Sequence, residues 1–171
     1  MVKIRKFAAY QGLKRPYTRV SKYSKKNFVR GGYPNLKVTR FDMGDPRKEY
    51  DTTLKLVVSR SMNIRHNAME AARMSSNRLL EKNLGSSYHL RLKVYPFHVL
   101  RENPIASGAG ADRISTGMTL SYGKPVGAAA RMRMDQTIFE LKLNKANIKL
   151  GKEALERASK KLPCTCRILT E

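Results

Sequence analysis

The chain is poor in cysteine, in acidic residues and in long apolar runs, and each shortage excludes a class of protein. Two cysteines in 171 residues cannot form a disulfide framework, so we expect a reducing, cytoplasmic setting. No apolar run approaches the ~18 residues of a transmembrane helix. The basic N-terminal stretch never continues into the apolar core of a secretory signal, so secretion is not expected.

The shortage of acidic residues leaves a large positive charge. Thirteen acidic residues oppose 35 lysines and arginines, and the formal net charge is +22. Hydrophobic residues still make up 41 % of the chain, which is too many for a wholly disordered polycation. Self-repulsion of this size predicts a polyanionic partner. Nucleic acid is the first candidate. An anionic membrane surface is the second, and it is disfavoured because the basic residues are dispersed rather than set opposite an apolar helix face.

Residues 1–41 concentrate this charge. They contain twelve basic residues, no acidic residue before Asp42, and seven of the thirteen aromatic residues. Apolar periodicity is absent, and Pro16 and Pro34 are among the residues that interrupt any regular element. We therefore predict an extended, RNA-binding arm with little core of its own, whose aromatic rings can stack on bases. A disordered tail is the alternative, although such tails are poor in aromatic residues.

Residues 42–171 are predicted to form a single α+β domain. Strands are predicted where apolar and polar residues alternate, and helices where apolar or small residues recur every three to four positions. The predicted strands are 52–61, 88–94 with a continuation through 95–101, 126–134, 137–143 and 164–170. The predicted helices are 64–84, between an Asn63 cap and Gly85, and 148–162, between an Asn147 cap and Pro163. Together they predict a small mixed or antiparallel sheet with two helices packed on it.

Residue patterns typical of catalysis or metal binding are missing. Cys164 and Cys166 have C-x-C spacing rather than the C-x-x-C spacing of zinc sites or redox pairs. His66, His89 and His98 each stand alone in a predicted element, without an i,i+4 partner. The carboxylates form no defensible pair, and no G-x-S-x-G segment occurs. We therefore predict no catalytic residue, no metal site and no cofactor, and we expect that the chain is not an enzyme.

The segment 102–125 is rich in glycine, serine and alanine. Within it, residues 107–112 invite comparison with phosphate-binding loops, which need a preceding strand and a following helix. No helix is predicted after Asp112, and Gly123-Lys124 is followed by proline rather than by serine or threonine. The segment is therefore predicted to be a long surface loop, with contact to a nucleic-acid backbone as the alternative.

Basic residues also alternate with apolar ones in the predicted strands. Arg91 and Lys93 lie on the polar face of 88–94, and Arg131 and Arg133 on that of 126–134. A basic sheet face with an extended arm suits structured RNA. No predicted helix carries the stripe of lysine and arginine that suits the DNA major groove, so duplex DNA is less favoured.

Short motifs spread over the chain carry a resemblance to a known family. They are KRPY at 14–17, YPFHVLR at 95–101, GAGADR at 108–113, TGM at 116–118, GKPVG at 123–127, and ALERA at 154–158 followed by LP at 162–163. In these segments the chain resembles the large-subunit ribosomal proteins called ten-e in archaea and eukaryotes, which are related to bacterial protein sixteen in the universal uL-sixteen family.

This resemblance implies a structural protein of the large ribosomal subunit with a hammerhead-like α/β fold. The family binds ribosomal RNA near the base of the central protuberance, and its glycine-rich loop, here residues 103–118, approaches tRNA and the peptidyl-transferase centre. The implied partners are large-subunit ribosomal RNA, tRNA and neighbouring ribosomal proteins, with no membrane. The chain stops at Glu171 without the C-terminal extension of eukaryotic relatives, so we expect an archaeal protein in the cytoplasmic ribosome.

Two sets of residues are predicted to meet RNA. Those expected to bind ribosomal RNA are Lys3, Arg5, Lys6, Lys14, Arg15, Tyr17, Arg19, Lys22, Lys25, Lys26, Arg30, Arg91, Lys93, Arg131 and Arg133. Those expected in the loop near tRNA are Arg101, Ser107, Gly108, Gly110, Asp112 and Arg113. Two other functions remain open from the residues alone: a free RNA chaperone or coat protein, and a phosphate-ester enzyme built on the glycine-rich loop.

Overall fold

Two antiparallel sheets and two long helices make up the part of the chain described by the structure, a computed structural model. That part comprises residues 4–13, 16–18, 29, 31–104, 106, 108–115 and 123–171. After a 3-10 turn at Phe7–Ala9, the elements are β1 (Asp42–Gly44), β2 (Thr52–Val58), β3 (Met62–Arg65), α1 (His66–Leu84), β4 (His89–Leu92), β5 (His98–Glu102), α2 (Ala111–Ile114), β6 (Lys124–Met132), β7 (Thr137–Leu143), α3 (Ile148–Ser159, after a 3-10 turn at Lys145–Asn147) and β8 (Cys166–Thr170).

The strands divide between a five-stranded and a three-stranded sheet. The larger sheet has the order β1-β4-β7-β2-β8 and the smaller one the order β3-β6-β5, with every neighbouring pair antiparallel. Helix α3 packs on β2 and β7, while α1 contacts α3 and the strands β3 and β6. The predicted α+β architecture, with two helices packed on antiparallel strands, is confirmed.

Strict alternation places the main core on one face of the larger sheet. Leu54, Leu56 and Val58 of β2 are fully buried, as the period-two pattern predicts. Helix α3 lies close above them because Gly151 has no side chain. A Cβ atom at Gly151 would lie 2.6 Å from Cδ2 of Leu143 and 2.8 Å from Cδ1 of Leu54. The missing side chain of Gly151 therefore allows the close approach of α3 to the sheet.

The start of α1 differs from the prediction. The helix begins at His66 rather than Ile64, and Asn63 belongs to strand β3 instead of capping the helix. The side chain of Asn63 donates hydrogen bonds to the carbonyl oxygens of Tyr10 and Gly12, at 3.0 and 2.7 Å. Pairing with β6 keeps this residue extended, so its amide serves the arm rather than the helix. The predicted end is confirmed, since the helix stops at Leu84 before Gly85.

Other predicted boundaries also differ, and one element appears where none is predicted. The segment 95–101 does not continue β4; that strand ends at Leu92, and the next strand, β5, joins the smaller sheet. A one-turn helix, α2, forms in the glycine-rich segment where no helix is predicted. Strand β6 ends at Met132 rather than at residue 134, and Met134 is 60 % exposed. None of the helices among the described residues is long and apolar enough to cross a membrane.

Candidate nucleic-acid interface

The beginning of the arm packs on the smaller sheet. Tyr10 is buried in a cluster with Leu100 of β5 and Ala129 of β6. Its hydroxyl donates a 2.6 Å hydrogen bond to the carboxylate of Glu102, the last residue of β5, and Arg5 Nε donates to the same oxygen at 2.8 Å. Burial, with the hydrogen bond to Glu102, raises the pKa of Tyr10, so the phenol stays protonated as a donor. A buried carboxylate thus anchors the arm.

The body of the protein holds this part of the arm chiefly by its backbone. Besides the two bonds from the Asn63 side chain, the Asn63 N–H donates to the carbonyl oxygen of Gln11 at 3.1 Å. Arg65 Nη1 donates to the carbonyl oxygen of Arg5 at 2.8 Å. The side chains of Arg5 and Lys6 meanwhile stay exposed, with that of Arg5 at 64 %. Fixing the backbone in this way presents two predicted cations to the surroundings.

Two histidines accept further hydrogen bonds from backbone N–H groups of the arm. His98 Nδ1 accepts the N–H of Tyr17 at 2.9 Å, and His66 Nδ1 accepts that of Lys37 at 3.1 Å. Burial, helped by neighbouring cations, lowers the pKa of both imidazoles. Both rings are therefore neutral at pH 7 and able to accept at Nδ1.

Tyr17, a predicted RNA contact, is engaged within the protein. Its carbonyl oxygen accepts the N–H of Val99 at 3.0 Å. The guanidinium of Arg101 lies 3.8 Å from the centroid of its ring, which is a cation–π contact. Arg101 is half-buried where β5 leads into the loop. The two residues therefore join the arm to the entrance of the glycine-rich loop.

The exposed face of the larger sheet carries ion pairs. Arg91 lies 3.5 Å from Asp42, and Lys93 Nζ lies 2.9 Å from a carboxylate oxygen of Glu140. Lys142 approaches the same carboxylate at 3.9 Å. The hydrogen bond from Lys93, with the charges of Lys142 and Lys55, lowers the pKa of Glu140. Arg91 and Lys93 are thus exposed as predicted, but carboxylates compensate much of their charge.

Two further predicted cations lie at the end of β6 in the smaller sheet. Arg131 and Arg133 are exposed, and with neighbouring residues up to Gln136 they line a cavity of about 540 Å³. Residues 1–41 and 95–134 together hold seventeen basic residues and two acidic ones, a net +15 of the chain's formal +22. One of the two acidic residues is the buried Glu102. The charge surplus is therefore concentrated in the arm and in the segment that forms β5, the loop and β6.

The described part of the glycine-rich loop folds onto itself. The N–H of Ala106 donates to Ser115 Oγ at 2.9 Å, and Gly110, at φ +79°, begins the single turn α2. This positive φ suits glycine because a Cβ atom would be strained there. Gly108 and Gly110 are exposed, and so is the side chain of Arg113. Among its described residues, the loop thus exposes one cation, Arg113, together with backbone that no side chain covers at Gly108 and Gly110.

Comparison with known proteins identifies the family. Residues 17–169 match the family described as Ribosomal protein L16p/L10e. The chain belongs to this family. It is 49 % identical over 150 residues to the large ribosomal subunit protein uL16 of Methanospirillum hungatei, covering 87 % of this chain and 88 % of that protein. It is also 44 % identical over 158 residues to the protein of the same name from Picrophilus torridus, covering 91 % and 89 %.

Membership of the L16p/L10e family settles the broad class of the protein. It is a ribosomal protein with a structural role, not an enzyme, and its place is the cytoplasmic ribosome. The relatives named above are archaeal, as expected from the resemblance. Among the residues that the structure describes, no group of three or more histidine, cysteine or acidic side chains could hold a metal ion.

Several predicted contacts of this L16p/L10e protein lie outside the described residues. They are Lys3, Lys14, Arg15, Arg19, Lys22, Lys25, Lys26, Arg30 and Ser107, and of Asp112 only the backbone is described. Those that are described fall into four places: Arg5, Lys6 and Tyr17 in the arm, Arg91 and Lys93 on the larger sheet, Arg131 and Arg133 at the end of β6, and Arg101, Gly108, Gly110 and Arg113 in or at the entrance of the glycine-rich loop. Their role as RNA contacts stays a prediction.

Sequence reasoning missed the residues that hold the arm. No local sequence pattern marks Glu102, and its partner Arg5 is 97 positions away. Asn63 occupies a position typical of a helix cap. Its hydrogen bonds to the arm could be predicted only from the pairing of β3 with β6. Lys142 could have been found, since it occupies a polar position of the predicted strand 137–143.

Proposed function

We propose that the protein is a structural component of the large ribosomal subunit that binds ribosomal RNA through its arm and the smaller sheet. We further propose that it binds near the base of the central protuberance, with residues 103–118 reaching towards tRNA and the peptidyl-transferase centre. Family membership and the names of the archaeal relatives support the first part. The resemblance of the loop motifs supports the second.

The distribution of charge carries the proposal. The arm and the segment 95–134 hold a net +15, whereas the larger sheet pairs its cations with carboxylates. An RNA surface attracts the side with surplus charge because neutralising phosphates releases counterions. Backbone contacts to the arm leave the side chain of Lys6 exposed to phosphate oxygens. Arg5 is also 64 % exposed, although its Nε donates to Glu102.

Sedimentation and salt titration test this proposal together. The protein should travel with large subunits in a one-to-one ratio, whereas an RNA chaperone would spread over many RNAs without fixed stoichiometry. If six to ten phosphates are neutralised, the log–log slope of affinity for large-subunit RNA against salt should be on the order of −4 to −9 at fixed magnesium. A slope near zero, or no association with large subunits, would overturn the proposal.

A pair of matched variants locates the RNA-binding side. Arg133→Gln removes an exposed cation beside the smaller sheet, and we expect the slope to become shallower by about one, since this arginine would neutralise one phosphate. Lys152→Gln removes an exposed cation from α3 and should leave both affinity and slope unchanged. Equal effects of the two substitutions would contradict an RNA surface confined to the side of the arm.

A further inference from the structure

Two exposed aromatic rings, Tyr95 and Phe97, lie in the connection between β4 and β5 and adjoin Phe41, which precedes β1. Tyr95 stacks on Phe41 with ring centroids 5.3 Å apart, and Phe97 follows at 4.6 Å from Tyr95. Phe97 is 62 % exposed and Tyr95 40 %, although both are large apolar rings. The hydroxyl of Tyr33 donates to the carbonyl oxygens of Pro96 and Phe97, at 3.0 and 2.9 Å, which holds this connection in place. The last ring of the aromatic stack (Phe41, Tyr95, Phe97) therefore faces outward on a fixed backbone.

A groove of about 340 Å³ runs beside this ring. Besides Tyr95 and Phe97, its lining includes Lys93, His98 and Arg131. None of the described residues that line the groove is acidic. The ammonium of Lys93 is shared with Glu140 outside the groove, while Arg131 contributes the positive charge of the smaller sheet. An aromatic surface and cationic groups thus meet in one concave site.

The orientation of His98 adds a hydrogen-bond donor to the groove. Its Nδ1 accepts the N–H of Tyr17, so the proton of the neutral ring sits on Nε2. That N–H can donate to a carbonyl or ring nitrogen of a base, or to a phosphate oxygen. Because the Tyr17 amide fixes the ring, this donor is preorganised rather than assembled on binding.

We propose that this groove binds one unpaired RNA nucleotide, with its base stacked on Phe97 and its phosphate beside Arg131 and Lys93. The inference rests on the proposed binding of ribosomal RNA and names the chemistry of one of its contacts. A protein segment would need an apolar and an acidic side chain in register to meet both the ring and the cations, whereas a nucleotide offers a flat base and a phosphate within one residue. A paired base cannot take this position because its faces are covered by its neighbours in the helix.

Fluorescence of a modified base tests the stacking directly. The probe is a single-stranded RNA hexanucleotide with 2-aminopurine at its centre, whose emission falls when it stacks. Intact protein should quench the probe. Since base–aromatic stacking needs the ring, Phe97→Leu should bind roughly 5- to 150-fold more weakly and should not quench. Phe97→Tyr keeps the ring and should behave like the intact protein.

Met74→Leu provides the matched control, because Met74 is 57 % exposed on α1 away from the groove. Its probe affinity and quenching should equal those of the intact protein, and thermal melting should show all three variants folded. Equal affinity and quenching by Phe97→Leu and intact protein would overturn the inference. So would equal quenching of a duplex in which 2-aminopurine is paired.

Salt dependence separates this inference from the proposed function. Stacking releases no counterion, so Phe97→Leu should weaken binding to large-subunit RNA equally at every salt concentration, with the slope unchanged. If the affinity of the intact protein depends steeply on salt but Phe97→Leu has no effect, the nucleotide-binding groove is contradicted and the proposed RNA binding is retained. If the affinity of the intact protein did not depend on salt, both the nucleotide-binding groove and the proposed RNA-binding function would be overturned. Loss of subunit incorporation by Phe97→Leu, with RNA affinity and quenching intact, would assign the aromatic stack to a protein partner and overturn the nucleotide.

Discussion

The hydroxyl of Tyr10 donates a 2.6 Å hydrogen bond to the carboxylate of Glu102, a residue 92 positions further along the chain. Glu102 ends β5, from which the glycine-rich loop departs, so this bond fixes the arm at the root of the loop. The carboxylate is buried and depends on Tyr10 and Arg5 for its described partners. The position of the arm and the geometry of the loop entrance are therefore coupled through one side chain.

Replacing Tyr10 by phenylalanine should destabilise the protein. Tyr10→Phe keeps the ring in its apolar cluster but takes one hydrogen bond from a buried carboxylate, a loss of about 1.5–3 kcal/mol in the free energy of unfolding. Urea denaturation at pH 7 measures it. The control is Tyr50→Phe, because the Tyr50 hydroxyl donates only to the carbonyl oxygen of Asp45 near the surface. A loss no larger than that of the control would contradict an anchoring role for Glu102.

Acid should release the arm at two imidazoles. The pKa values of His66 and His98 are lowered in the folded protein, so above pH ~6.5 both rings are neutral in the folded and unfolded states. As the pH falls below that value, the unfolded chain binds protons first, and the free energy of unfolding decreases until the lowered pKa values are passed. Protonated Nδ1 no longer accepts the N–H groups of Tyr17 and Lys37.

Amide hydrogen exchange follows this release residue by residue. After correction for the intrinsic rate, protection of the Tyr17 and Lys37 amides should fall as the pH drops below about 6.5. His98→Asn places a carbonyl oxygen near the position of Nδ1, so it should make Tyr17 protection independent of pH in this range. His89→Asn, whose ring contacts Asp42 instead of an arm amide, should leave both amides unchanged. Constant protection of both amides in the unaltered protein would count against the hydrogen bonds.

The two cysteines should differ in reactivity. Their sulfur atoms lie 3.6 Å apart, and the hydrogen bond from Cys166 lowers the pKa of Cys164, while the same bond raises that of Cys166. Because the thiolate is the nucleophile, Cys164 should be alkylated first by iodoacetamide. Its reaction should need a higher pH in Cys166→Ala, and Cys166 should react faster in Cys164→Ala than in the unaltered protein. Mass spectrometry of the labelled peptides gives both rates, and unchanged profiles in the two variants would refute the coupling.

Periodicity predicted the elements better than it predicted their partners. Strand β7 has the bounds expected from alternation, and the buried side of β2 follows it as well. Periodicity reports which face is apolar, but not which sheet a strand joins. The sequence around Pro96 reads as one continued strand, whereas β4 ends at Leu92 and β5 enters a second sheet. Phe97, in the connection between the two strands, is 62 % exposed.

The candidate site was predictable where it depends on charge alone. The count of basic residues in 1–41 identifies the arm, and alternation places Arg91 and Arg131 on exposed faces. Compensation by carboxylates was not predictable, because Glu140 meets Lys93 only once β4 and β7 are paired. The contacts of Glu102 with Tyr10 and Arg5 were not predictable for the same reason. Ion pairs between distant segments require the register of the sheet, which sequence spacing does not contain.

The loop at residues 103–118 should serve the ribosome rather than the fold. Its described residues are mostly exposed, and the bond between Ala106 and Ser115 is local. Replacing the loop by a short Gly-Ser linker should therefore change the free energy of unfolding by no more than about 1 kcal/mol, since little apolar area is removed and a shorter loop costs less entropy to close. Arg101 and Glu102 stay in place, so the anchor of the arm is kept.

Replacing the loop by the linker should lower the rate of peptide synthesis. Large subunits should incorporate the altered protein through its arm and smaller sheet but synthesise peptide more slowly, because the proposed contact of the loop with tRNA is removed. Arg113→Gln removes the described cation of the loop without shortening it, and it should reproduce part of this loss if Arg113 contacts phosphate. Lys152→Gln, on α3, controls for the loss of one charge. Normal synthesis by fully occupied subunits would sink the functional role of the loop, whereas failure of the linker variant to fold would make it a structural element.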